Sequence, residues 1–203
     1  GQGKNLEITH VGDLPSRSGI GSSSAFTVGL ITSLSALVKS EFLGRTKLAR
    51  LAIDIEQNDI GETIGVQDQC ASAFGGLVHI TADKEGIKPK KFLIRKEYQN
   101  YIESSLLMGF TGRSRFSSVA SKKVDVALKT DSNIKKLEEL HEISQKGIEA
   151  FGNEADIQEN AFLTKECRNI KLALNQDYGD PMLMELIEES EKAGSLCTRI
   201  MGA

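Results

Sequence analysis

The sequence predicts an α+β fold in two parts, and three observations carry that expectation. Short alternating stretches around residues 6–11, 77–80 and 87–94 read as strands. A loop dense in glycine and serine opens onto a long apolar run that reads as a buried helix. From about Ser117 onward the apolar residues fall mainly at helical spacing. The change from mixed β and α to mostly helix near residues 100–105 predicts a boundary between units of 1–102 and 103–203.

In chain order, Leu6, Ile8 and His10 alternate with Glu7, Thr9 and Val11, a short strand pattern. The loop Gly12 to Ser24 follows, then an apolar helix from Ala25 through Leu34 and Val38, ended by Gly44. Thr46 is expected to cap a second helix with Leu48, Leu51, Ala52 and Ile55 on its inner face. Asn58, Asp59, Gly61 and Gly65 make residues 57–67 a loop. A short helix from Gln67 to Phe74 is closed by Gly75-Gly76. Leu77 to Ile80 and Ile87 to Ile94 form a strand pair around the turn Asp83-Lys84-Glu85-Gly86. A helix near Glu97 to Glu103 precedes Leu106 to Phe110, expected as a buried strand. Ile134, Leu137, Leu140 and Ile148, and then Phe162, Cys167, Ile170 and Leu174, fall near helical spacing. Pro181 suits the first turn of a last helix, and Cys197 to Ala203 reads as a strand entering a loop.

Composition narrows the function classes. No apolar run reaches the ~20 residues that a membrane-spanning helix needs. A net charge of −3, from 25 basic and 28 acidic residues, leaves no electrostatic footprint for nucleic acid. Cys70, Cys167 and Cys197 are odd in number and form no CxxC pair, which argues against a disulfide scaffold or zinc site and for a reducing cytoplasm. His10, His79 and His141 are scattered and suggest no catalytic cluster. The expected partners are small molecules, not nucleic acid or membrane, and a homo-oligomer is left open.

The stretch Pro15-Ser16-Arg17-Ser18-Gly19-Ile20-Gly21-Ser22-Ser23-Ser24-Ala25 carries the strongest chemical signal. Glycines let backbone N–H groups approach an anion, and a helix N-terminus favours negative charge. Serine hydroxyls add donors and can ligate a divalent cation. Walker A needs a lysine that does not follow Gly21, and the Rossmann fingerprint needs a glycine where Ser24 stands. Downstream, Glu56, Asp59, Glu62 and Asp68 form an acidic series, with Gly65-Val66-Gln67-Asp68-Gln69 and Ala71-Ser72-Ala73-Phe74-Gly75-Gly76 behind it.

The Pro15 to Ala25 segment resembles the second signature of the GHMP small-molecule kinases, with Ile20 in place of leucine. Residues Glu56 to Gly76 resemble the sugar-kinase branch of that family. The resemblance implies two α+β domains, the first ribosomal-S5-like and here incomplete at its start, the second ferredoxin-like. It implies an ATP- and Mg²⁺-dependent phosphotransferase acting on an alcohol group. Ser18, Gly19, Gly21, Ser22, Ser23 and Ser24 would bind the ATP phosphates. Ser23 and Glu56 would hold Mg²⁺, with Glu62 as the substitute for Glu56. Asp68 would be the catalytic carboxylate, accepting or orienting the substrate hydroxyl proton.

Gln67-Asp68-Gln69 and the stretch Leu106 to Ser118 look most like the bacterial D-glycero-D-manno-heptose 7-phosphate kinases. That branch implies transfer to the anomeric hydroxyl, with Gln69 and Arg115 against the substrate; a guanidinium suits a sugar phosphate. Leu196-Cys197-Thr198-Arg199 departs from it, standing where a glycine-rich stretch and a lysine are expected. The family's first signature has no counterpart, and its third, a glycine loop, begins only at Gly202-Ala203. The chain is therefore expected to be an internal fragment, catalytically incompetent by itself. The alternatives are a galactokinase- or fucokinase-like enzyme, a non-catalytic sugar sensor on the same scaffold, and an unrelated nucleotide-binding module.

Overall fold

The computed structural model describes residues 6–13, 19–39, 42–112, 131–174 and 180–201. Helix α1 (Ser22–Lys39) is followed by α2 (Arg45–Asp54), which runs into a π-helical turn (Ile55–Asp59), and by α3 (Gln67–Phe74). A hairpin of β1 (Val78–Asp83) and β2 (Gly86–Lys91) leads to α4 (Lys96–Ser104). Three helices complete the described chain: α5 (Asp131–Gly152), α6 (Ile157–Leu174) and α7 (Pro181–Lys192). The fold is α+β, as expected. Among the described residues no helix is long and apolar enough to cross a membrane.

The first three helices pack on one another. Ser24, Thr27, Val28 and Ile31 form a buried stripe on α1 at i, i+3, i+4 and i+7. Val28 and Ile31 meet Leu48 and Ala52 of α2, and Leu43, Ile55 and Ala73 pack against that group. Burying side chains such as Ile31 and Leu48 contributes roughly 1.5–3 kcal/mol each. The expectation that α1 is buried all round does not hold: Phe26, Leu37 and Val38 are exposed, because its neighbours cover one stripe. Thr46 does not cap α2 either. The helix starts two residues earlier than that cap would place it, and Gly44 serves as N-cap through its backbone, its carbonyl accepting from Leu48 N at 2.9 Å.

Gly75 closes α3 with φ +66°, and Gly76 follows at +68°, a left-handed pair that turns the chain into the hairpin. The strands pair antiparallel, Val78 opposite Lys91 and Asp83 opposite Gly86. Pro89 is tolerated in β2 because, among the described residues, the sheet has two strands and each keeps an unpaired edge. Arg45 donates to Phe74 O at 2.8 Å and Arg50 to Ile87 O at 3.0 Å, tying α2 to the end of α3 and to β2.

Three expected strands are not strands here: residues 6–11, 106–110 and the described part of 197–203 are irregular. Alternation supplies strand propensity, but a strand persists only where a neighbour takes its N–H and C=O groups. No described strand forms a backbone ladder with these segments. Leu106 to Phe110, expected buried, is exposed, Leu107 by 99%. His10 meets Phe26 edge-on at 4.9 Å, which holds the first segment to α1.

Helix α4 runs through the expected junction at 102/103, and its bonds run forward. Tyr98 OH donates to Ala155 O at 2.9 Å and accepts from Asn160 Nδ2 at 3.0 Å. Arg95 pairs with Glu154. At the far end Asp180 caps α7, accepting from Met182 N at 3.0 Å, with Pro181 in the first turn as expected. Lys165 and Arg168 of α6 both pair with Glu191 of α7, and Arg168 also donates to Thr198 O. Beyond residue 103 the described elements are helices, so the β component of a ferredoxin-like half is not seen among them.

Candidate active site

The site is built where α1 begins. Gly19 and Gly21 adopt φ +79° and +72°, left-handed values that glycine reaches without steric cost. They turn the loop sharply into the helix. Gly21 O accepts from Ala25 N at 2.9 Å, the first bond of α1. The amides of Ser22, Ser23 and Ser24 therefore lie in the first turn, where N–H groups lack intrahelical acceptors. No acidic residue sits in that turn, so its positive end is not neutralised from within the helix.

Asp68, in the first turn of α3, is brought to this loop. A Cβ placed on Gly21 would stand 3.1 Å from Asp68 Cγ and 3.2 Å from Oδ2. Glycine at 21 thus meets two demands at once: the left-handed backbone and the close approach of a carboxylate. Partial burial raises the Asp68 pKa above the ordinary aspartate value, and the negative charge of Glu56 raises it further.

Behind the loop lies a buried carboxylate. Glu56, in the π-helical turn, is 1% exposed. Thr27 Oγ1 donates to its Oε1 at 2.8 Å, Ser24 Oγ to its Oε2 at 2.9 Å, and Gln69 Nε2 also to Oε2. Three donors from α1 and α3 thus converge on one acceptor from the end of α2. A buried carboxylate needs such donors, because an unpaired one is strongly disfavoured. Gln69 Oε1 is buried and has no hydrogen-bond partner among the described residues.

Several expected assignments change. Ser24, not Ser23, meets Glu56, and its hydroxyl is committed there, so it can serve a phosphate through its amide alone. Ser23 is exposed and makes no contact with Glu56. Magnesium requires oxygen ligands with room for several waters. A carboxylate closed in by three protein donors, with its expected hydroxyl partner turned away, does not fit that requirement. Among the described residues no group of three or more His, Cys, Asp or Glu side chains is gathered for a metal. Glu62, the substitute, is exposed on the loop. Gln69, expected against the substrate, is 1% exposed and spends its amide on Glu56. Ser18 and Arg115 lie outside the described residues. Thr27 was not singled out from the sequence. The signal was its position three residues after Ser24, on the same helix face as Val28 and Ile31.

Comparison with known proteins points the same way as the loop. Residues 1–76 match the family described as GHMP kinases N terminal domain. A D-glycero-alpha-D-manno-heptose 7-phosphate kinase of Campylobacter jejuni is 43% identical over 65 residues, covering 32% of this chain and 19% of that protein. A mevalonate kinase of Pyrococcus horikoshii is 28% identical over 211 residues, covering 98% of this chain and 56% of the relative. The Pyrococcus abyssi mevalonate kinase is 25% identical over the same shares. The chain thus spans about half the length of the mevalonate kinases it matches and a fifth of the heptose kinase.

Proposed function

We propose that this chain supplies the phosphate loop and the catalytic carboxylate of an ATP-dependent kinase that phosphorylates an alcohol group of a small molecule. The observation that supports it most is Asp68 seated against Gly21 at the start of α1. A triphosphate held by loop and first-turn amides at residues 19–24 would present its γ-phosphoryl group beside that carboxylate. The substrate hydroxyl forms the new O–P bond as the bond from Pγ to the bridging oxygen of ADP breaks. Its proton passes to Asp68, whose raised pKa makes it a better acceptor than an ordinary aspartate. Positioning and charge stabilisation carry most of the rate in such transfers.

Two acceptor classes have specific support. The anomeric hydroxyl of D-glycero-D-manno-heptose 7-phosphate is favoured by the local 43% identity and the Gln67-Asp68-Gln69 pattern. Mevalonate is favoured by matches along 98% of the chain. A coupled ADP-release assay on the full-length protein, with both acceptors plus galactose and fucose, separates them. Turnover with the heptose phosphate alone supports the first reading, and turnover with mevalonate alone supports the second. Absence of ADP release with every acceptor overturns the kinase assignment and leaves the sugar-sensing scaffold.

A further inference from the structure

We propose that Glu56 is an internal positioning residue that locks the phosphate loop to the helix bearing Asp68. The inference rests on the kinase reading for its functional consequence and on the hydrogen-bond network for its geometry. Glu56 receives Ser24 and Thr27 from α1 and Gln69 from α3, so one side chain joins both elements that carry the proposed chemistry. Ser24 lies three residues after Gly21, and Gln69 directly follows Asp68. Any rotation of α1 or sliding of α3 that moved Asp68 away from Gly21 would break a bond to a buried carboxylate. Such bonds are among the stronger ones in a protein interior.

The polarity of the network is one-directional. Reversing the Gln69 amide would turn its Oε1 toward Glu56 Oε2, two acceptors face to face, so Nε2 must point inward. That leaves Oε1 in a buried position without a partner among the described residues, a cost the cluster sustains. A side chain chosen only to fill space would not need that cost. Glutamine here serves as a donor to Glu56, and the stripe residue Thr27 serves the same end.

The test uses the full-length protein with Thr27→Val, Thr27→Ser and Glu56→Gln, read by amide hydrogen exchange, steady-state kinetics and Mg²⁺ titration. Thr27→Val keeps the volume and removes one donor. It should speed exchange in the first turns of α1 and α3 and lower kcat about 10–100-fold, the scale of a small misplacement of reacting groups. KM for ATP should stay within about threefold, since the loop amides that hold the phosphates remain. Thr27→Ser restores the donor and should return both exchange and kcat toward wild type. Glu56→Gln should loosen the same amides while leaving the Mg²⁺ activation constant within about threefold; loss of a metal ligand would raise it by tenfold or more. Normal exchange in Thr27→Val, or a large Mg²⁺ shift in Glu56→Gln with unchanged exchange, overturns the proposal. Exchange also separates this inference from the kinase reading. A protein without kinase activity still reports whether the network locks the two helices, and an active one with unperturbed exchange keeps the kinase reading while losing the lock.

Discussion

Replacing Gly21 with alanine tests the central geometry most directly. Two costs follow from the structure. The backbone at φ +72° would place an L-residue in the left-handed region, about 1–2 kcal/mol. The new methyl would also stand 3.1–3.2 Å from three Asp68 atoms, tighter than ordinary van der Waals contact, so the carboxylate must give way by a few tenths of an ångström. Gly61→Ala is the matched control: its φ is +76°, and no described atom lies within 4 Å of its Cβ position. Each variant should lose about 1–2 kcal/mol from the backbone term, which lowers Tm by roughly 2–4 °C per kcal/mol for a chain of this size. The contact with Asp68 should add to the loss in Gly21→Ala. It should also lower kcat at least about tenfold there, while Gly61→Ala keeps wild-type turnover. Thermal unfolding and the ADP-release assay, run side by side, make the comparison. Equal Tm losses together with wild-type kcat in Gly21→Ala would refute the claim that this glycine is required by the approach of Asp68.

Two further substitutions follow from charge. Asp68→Asn should abolish turnover while ATP binding, read by calorimetry, is retained. It should also raise Tm at pH 7: the Asp68 pKa is higher folded than unfolded, so between the two values the native state holds more protons and stability falls as pH rises. Folding thus costs the carboxylate part of the hydration of its charge, and an amide removes that cost; a lower Tm for the variant at pH 7 would contradict the desolvation argument. Glu191 behaves in the opposite sense. Hydrogen bonds from Lys165 and then Arg168 bring its pKa down from the ordinary value of 4.5 to about 2. Its contribution is present above pH 4.5 and disappears as pH falls toward 2. Glu191→Gln should therefore cost on the order of 1–2 kcal/mol at pH 7, less in high salt, with the difference from wild type vanishing near pH 2 in urea titrations.

Local chemistry made much of the site legible in the sequence. The loop of Gly19 and Gly21 before a serine-rich helix start, the helix from Gln67 to Phe74 and the hairpin around Lys84-Glu85 all follow from short-range signals. Turn glycines, helical spacing and alternation act over a few residues, and nothing in the tertiary structure overrides them there. The strand patterns at 6–11 and 106–110 went unrealised because pairing is a long-range condition, and no described neighbour completes their hydrogen bonds.

The sequence by itself placed a phosphate-type loop, an apolar helix behind it and Asp68 within one short segment of the chain. What it could not decide was which member of the serine triplet turns inward. Consecutive residues on a helix differ by about 100° around its axis, and α1 is apolar on more than one face, so its packing partner selects the stripe. Packing against α2 buries the face of Val28 and Ile31, which brings Ser24 and Thr27 to Glu56 and leaves Ser23 outside. The same packing buries Gln69 and keeps Asp68 at the loop. The role of Glu56 therefore depends on the rotation of one helix, a quantity set by contacts between elements and invisible to the order of residues within one.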